Sequence, residues 1–150
     1  MATRHHNLSQ FDAPLPSAAD MRFGIVVAEW NREITEALLE GAVRTLRAAG
    51  CPDVNIQIKF VPGTFELTLG AQFFAEYTDV DAVVVLAEND NSPEYAAMLY
   101  GVTKLQISWN MPVLIGDCIV ASEVADMVAM QNEMEAAAPE HISPDRKSIN

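Results

Sequence analysis

Three short stretches of this chain carry residue types suited to handling a small planar ligand. Trp30 and Asn31 stand side by side after an apolar run. A tryptophan at the mouth of a cleft can stack on a heterocycle, or it can simply cover the end of a sheet. Thr64, Phe65 and Glu66 follow the dipeptide Pro62-Gly63. Pro and Gly make a turn, and the residues after it open a helix whose free N–H groups can hold polar ligand atoms. Glu66 can accept hydrogen bonds from hydroxyls, or merely complement the helix dipole. The third stretch, Glu88-Asn89-Asp90-Asn91-Ser92-Pro93-Glu94, is rich in hard oxygen donors. It lacks the glycine and the spacing of a calcium loop, so it is read as a solvated acidic loop and no metal is expected.

Chemistry elsewhere is sparse. Cys51 and Cys118 lie far apart with no metal-ligand spacing, and are read as reduced thiols of a cytoplasmic protein. His5 and His6 belong to an irregular N-terminal tail. Lys and Arg number 9 against 21 Asp and Glu, a formal net charge of −12. Phosphate contacts need clustered cations, so this field argues against nucleic acid and against anionic membrane as partners. Residues 1–20 contain no apolar core of the kind a signal peptide needs. The longest apolar run, Ala82–Ala87, is too short to span a bilayer.

The elements that must carry these stretches follow from period. Phe23–Ala28 is a nearly continuous apolar run, as in a parallel strand covered on both faces. Asn31 is expected to cap the next helix, along which Ile34, Leu38, Ala42 and Leu46 step by four. Glu33 near its start and Arg44 and Arg47 near its end suit the dipole, and Gly50 stops it. Alternation at Val54, Ile56, Ile58 and Phe60 predicts a strand over 54–60. Phe65, Leu69, Phe73 and Tyr77 give a second helix. Ala82–Ala87 gives a third strand, fully buried by composition. Residues 94–109 give a third helix, with Tyr95, Met98, Leu99, Val102 and Leu105 on one side. Pro112–Ile115 opens a fourth strand, and Ser122 is expected to cap a fourth helix running to Ala138.

The order β-α-β-α-β-α-β-α with short connections predicts a single α/β domain. It is a three-layer α/β/α sandwich around a four-stranded parallel sheet of flavodoxin-like order. The expected divisions are an extended arm at 1–20, the domain at 21–138 and a polar tail at 139–150. Ligands of such sheets bind beyond the carboxyl ends of the strands. Glu29–Asn31, Val61–Glu66, Glu88–Glu94 and Gly116–Ser122 stand there.

At those strand ends the sequence resembles the lumazine synthases of riboflavin biosynthesis. The resemblance is carried by FGIVVAEWN, by the helix EALLEGAVRTL and above all by VPGTFEL. It continues through DAVVVL and, more faintly, Tyr95, GVTK and PVLIG. It covers about two-thirds of the chain. It implies condensation of 5-amino-6-ribitylaminouracil with 3,4-dihydroxy-2-butanone 4-phosphate to 6,7-dimethyl-8-ribityllumazine, a transferase reaction needing no cofactor. It also implies self-association, as a homopentamer, with active sites between subunits and the N-terminal arm added to a neighbour's sheet. By resemblance, Trp30, next to Asn31, stacks on the pyrimidine. Thr64, Phe65 and Glu66 hold the ring and the ribityl hydroxyls. Leu86 and Ala87 border the uracil.

The second half of the family pattern is not matched. Where the family reads V-I-R-G-E/A-T-x-H-x-D-Y, alignment on Tyr95 puts Glu88, Asn89 and Asp90 in the phosphate loop and Ser92 at the histidine. Ile115 falls at the family aromatic, and Ala129 near the arginine that a neighbour supplies for phosphate. Like charges 4 Å apart repel by about 4 kcal/mol at an effective dielectric near 20, so these carboxylates oppose a phosphate ester. A serine cannot act as a base near neutral pH, where acid–base help is worth roughly 10²–10⁴ in rate. The expected function is therefore a lumazine synthase of impaired catalysis. The alternatives are a non-catalytic oligomeric shell protein, or a module that holds a ribityl-pyrimidine or flavin-like small molecule without turnover.

Overall fold

The computed structural model describes residues 16–116 and 120–139. Its elements run β1 (Phe23–Ala28), α1 (Arg32–Ala48), β2 (Ile56–Val61), α2 (Leu67–Tyr77), β3 (Ala82–Leu86), α3 (Pro93–Trp109), β4 (Val113–Ile115) and α4 (Val120–Ala137). The four strands form one parallel sheet in the order β2-β1-β3-β4. The expected three-layer α/β fold is the fold observed. Cys118, residues 1–15 of the expected arm and most of the expected C-terminal tail fall outside the described residues.

The central strands explain the layering. Every residue of β1 and β3 is buried. Successive strand side chains point to opposite faces, so both faces must be covered. Phe23, Ile25, Val27, Val84 and Leu86 pack on one face with Leu46 of α1 and Val124 and Val128 of α4. Val26, Val83 and Val85 pack on the other with Leu67 and Phe74 of α2 and Met98 and Val102 of α3. The register Val27↔Leu86 sets the carboxyl ends of β1 and β3 side by side. Ala18 belongs to the first cluster, and its N–H donates to the Ala49 carbonyl at 2.8 Å, so the chain just before β1 is already docked on the domain.

Several local expectations are corrected. The second strand begins at Ile56 rather than Val54 because Asp53–Asn55 forms a 3₁₀ turn. Arg47 at the end of α1 grips Asp53 with two hydrogen bonds, at 2.7 and 3.1 Å, and leaves Val54 in solvent. That fork holds the Asp53 carboxyl below the usual range. Asn31 occupies the N-cap position in a left-handed conformation and makes no side-chain cap. Ser122 does not cap α4, since the helix is already formed at Val120. Ile34 lies outside the core, where Thr35 is buried instead, bonded to carbonyls of the preceding turn. Leu99 is likewise exposed, while Met98, Val102 and Leu105 are buried. The expected stripe faces outward, with Leu69, Phe73 and Tyr77 on α2 and Phe65 in the 3₁₀ turn before it rather than in the helix, and α2 buries Leu67, Gly70, Ala71 and Phe74.

Gly24 shows how tightly α2 is seated. A methyl group there would stand 2.6 Å from the Phe74 ring. Overpacking of this kind costs about 1–3 kcal/mol. Gly24→Ala is expected to lower the urea midpoint by that equivalent with little change in the m-value.

Candidate functional site

The sheet order changes direction between β1 and β3, and a crevice forms outside their carboxyl ends. Three connections wall a pocket there of about 330 Å³. From the β1 end comes Trp30. From the turn after β2 come Pro62, Gly63, Thr64, Phe65 and Glu66. From the loop before α3 come Asp90 and Ser92, and from the first turn of α3 comes Glu94. Four expected site residues, Trp30, Thr64, Phe65 and Glu66, are thus brought together, along with three residues of the acidic stretch.

Each wall is shaped by local chemistry. Pro62-Gly63 ends β2, and Thr64–Glu66 makes one 3₁₀ turn leading into α2. The Glu66 carboxylate lies over Gly63, 3.3 Å from where a methyl group would stand. Trp30 is 72% exposed and Phe65 69%, so two aromatic surfaces flank the opening. Both can pack against a planar ring, and neither is used to cover the sheet.

The acidic loop is folded upon itself. The Asn91 N–H donates to Asn89 Oδ1 at 3.1 Å, and the Ser92 N–H donates to Asp90 Oδ1 at 3.0 Å. Asn91 takes a left-handed conformation, φ 56°, which asparagine tolerates. Ser92 Oγ caps α3 by accepting from the Tyr95 N–H at 3.1 Å, and Pro93 sits in the first turn. Hydrogen bonds from the Ser92 side chain and backbone hold the Asp90 carboxyl below the usual range. Burial, helped by the Asp90 charge, pushes the Tyr95 phenol up, so it stays protonated at neutral pH. Asp90, Glu94 and Glu66 give the pocket three carboxyl groups. No Lys, Arg or His stands among its described lining residues.

The remaining expected site residues lie elsewhere. Leu86 and Ala87 are buried at the end of β3, beneath the crevice. Ile115 is half-buried against the α2–α3 side of the core. Ala129 packs on the α1–α4 side. Asn31 and Glu88 do not line the pocket but are joined across the crevice, Asn31 Nδ2 donating to Glu88 Oε2. Sequence spacing does not reveal that link, because 57 residues separate the partners; only the adjacency of β1 and β3 brings them together. Glu94 was visible as a loop residue but not as a pocket wall. Among the described residues no group of three or more His, Cys, Asp and Glu is placed to hold a metal ion, and no helix is long and apolar enough to cross a membrane.

The loop makes a testable pair. Asp90 is titrated more easily in the unfolded chain, so its stabilising contribution is present above the unfolded pKa. That contribution is lost as pH falls through the lower folded value. Ser92→Ala is expected to raise the Asp90 midpoint in a carboxyl NMR titration. Loss of the cap should also cost about 1 kcal/mol in urea unfolding at neutral pH.

Residues 20–135 match the family model described as 6,7-dimethyl-8-ribityllumazine synthase. The protein of that name from Parabacteroides distasonis is 44% identical over 123 residues, which is 77% of each chain. The one from Phocaeicola vulgatus is 42% identical over 123 residues, 77% of this chain and 73% of its own. The one from Cytophaga hutchinsonii is 43% identical over 122 residues, 77% of each. With the flavodoxin-like sheet and the Val61–Leu67 turn at its carboxyl end, these similarities show that the chain belongs to the 6,7-dimethyl-8-ribityllumazine synthase family.

Proposed function

We propose that this chain holds the ribityl-pyrimidine substrate of riboflavin biosynthesis and condenses it with 3,4-dihydroxy-2-butanone 4-phosphate slowly. The pocket composition carries the proposal. One side offers Trp30, Phe65 and the Thr64–Glu66 turn, suited to a flat ring and its hydroxyls. The other offers Asp90, Ser92 and Glu94 where a phosphate ester needs donors or cations. Ser92 is engaged as a helix cap and has no group that titrates near neutrality. The stacking half of the site is therefore the stronger half, and the phosphate half limits turnover.

A direct assay follows lumazine fluorescence with both substrates. Product is expected at micromolar enzyme, with a high KM for the butanone phosphate. Asp90→Thr is expected to lower that KM, and adding Ser92→His to raise kcat. No product at any concentration would replace this reading by that of a binding module. Riboflavin titration tests the stacking half under both readings, since Trp30→Ala should weaken binding by about 1–3 kcal/mol in either case. That titration needs a Trp109→Phe background, since the chain has two tryptophans.

We also propose that the protein works as a homopentamer in the cytoplasm. The outward stripe of α2 supports association: Phe65, Leu69, Phe73 and Tyr77 are all about half exposed or more in the isolated chain. A contiguous apolar face of that kind marks a contact surface. Light scattering at tens of micromolar is expected to give five times the 16.4 kDa chain mass, and Leu69→Glu to shift it toward the monomer.

A further inference from the structure

Trp30 sits on a short bridge that is pinned on both sides. The β1–β2 ladder ends at Ala28↔Val61, and the β1–β3 ladder one residue earlier, at Val27↔Leu86. Beyond those pairs the sheet no longer holds the connections together. Before Trp30, the Glu29 N–H donates to the Val61 carbonyl at 2.8 Å, which ties the bridge to the Pro62–Glu66 wall. After Trp30, Asn31 Nδ2 donates to the Glu88 carboxylate, which ties it to the connection that carries Asp90 and Ser92. No other hydrogen bond joins the β1 and β3 connections among the described residues.

The local structure of Asn31 suits that link. Its backbone is left-handed, φ 57° and ψ 55°, a conformation that asparagine tolerates. Its carbonyl accepts from the Ile34 N–H at 3.0 Å and the Thr35 N–H at 3.2 Å, so the residue is fixed to the first turn of α1. Its side chain makes no cap to that helix and crosses to Glu88 instead. A carboxylate acceptor makes the stronger kind of hydrogen bond. Trp30 itself is 72% exposed, so its own contacts do little to hold it. We propose that Glu88 is a positioning residue: through Asn31 it latches the Trp30 bridge to the β3 connection and keeps the indole at the pocket mouth, ready to stack on the ribityl-pyrimidine ring. A ring surface held in place before binding loses less freedom when the ligand arrives. The role in stacking rests on the function proposed above; the latch itself does not.

The test uses the full chain with Trp109→Phe, so that Trp30 is the one tryptophan, and riboflavin as the probe. In the free protein, the fast local component of the Trp30 anisotropy decay is expected to grow in Glu88→Ala. It should stay near its starting amplitude in Glu88→Gln, which keeps an acceptor. Glu88→Ala should raise the riboflavin midpoint about three- to tenfold, the scale of one net hydrogen bond, and Glu88→Gln should restore it. Asn31→Gly keeps the left-handed backbone and should match Glu88→Ala, and the double variant should lose no more than either single one. Unchanged anisotropy in Glu88→Ala would overturn the proposal. So would additive losses in the double variant, which would give Asn31 and Glu88 separate roles. If riboflavin fails to bind even the parent, the stacking function falls, and the anisotropy still decides the latch.

Discussion

Burial of β1 and β3 on both faces is the constraint from which the rest of the molecule follows. Eleven consecutive-strand residues, Phe23–Ala28 and Ala82–Leu86, leave no face for water. At roughly 25 cal/mol per Å² of apolar surface, this is the largest local gain available to the chain. It demands two helices on each side. It also demands that the connections leave β1 and β3 in opposite directions along the sheet. The crevice at their carboxyl ends is the geometric result, and Trp30, the turn at Pro62–Glu66 and the loop at Asp90–Glu94 inherit their places from it.

The crevice carries two unlike chemistries. Its aromatic side is open and apolar, with Trp30 and Phe65 in solvent. Its loop side is acidic and internally satisfied. Ser92 serves α3, Asp90 serves Ser92, and Glu88 accepts from Asn31. The loop is held by bonds to itself and to Asn31 beyond the end of β1, so its conformation is accounted for by its own residues and that neighbour. Any anion entering this loop would have to displace those bonds and also meet carboxylate charge. Membership of the family and an acidic loop at this place are thus compatible: the fold rests on the buried residues of β1 and β3, and the loop bonds to Asn31 and to itself.

The exposed side chains carry a similar lesson. β2 is the edge of the sheet, and Ile58 and Phe60 remain partly in solvent there. The α2 stripe is apolar at four-residue steps yet faces away from the core. A helix with apolar residues all round has two faces to bury, and a single chain covers only one.

Period and composition alone determined the element order, the parallel sheet and the continuous burial of β1 and β3. These are local or nearest-neighbour consequences of which residues alternate. The Pro62–Glu66 turn and the placement of Trp30 after β1 were legible for the same reason. What the tertiary structure decided is everything that depends on partners distant in sequence. Arg47 shortened β2 by binding Asp53. Thr35 took the buried place expected of Ile34, because the rotation of α1 on the sheet is set by packing against α4. The outward turn of Phe65, Leu69, Phe73 and Tyr77 depended on Phe74 seating under Gly24. Asn31 met Glu88 only because β1 and β3 are neighbours. A periodic stripe states that one face of a helix is apolar; which face meets the core is a question of shape, answered only when the sheet and helices are packed together.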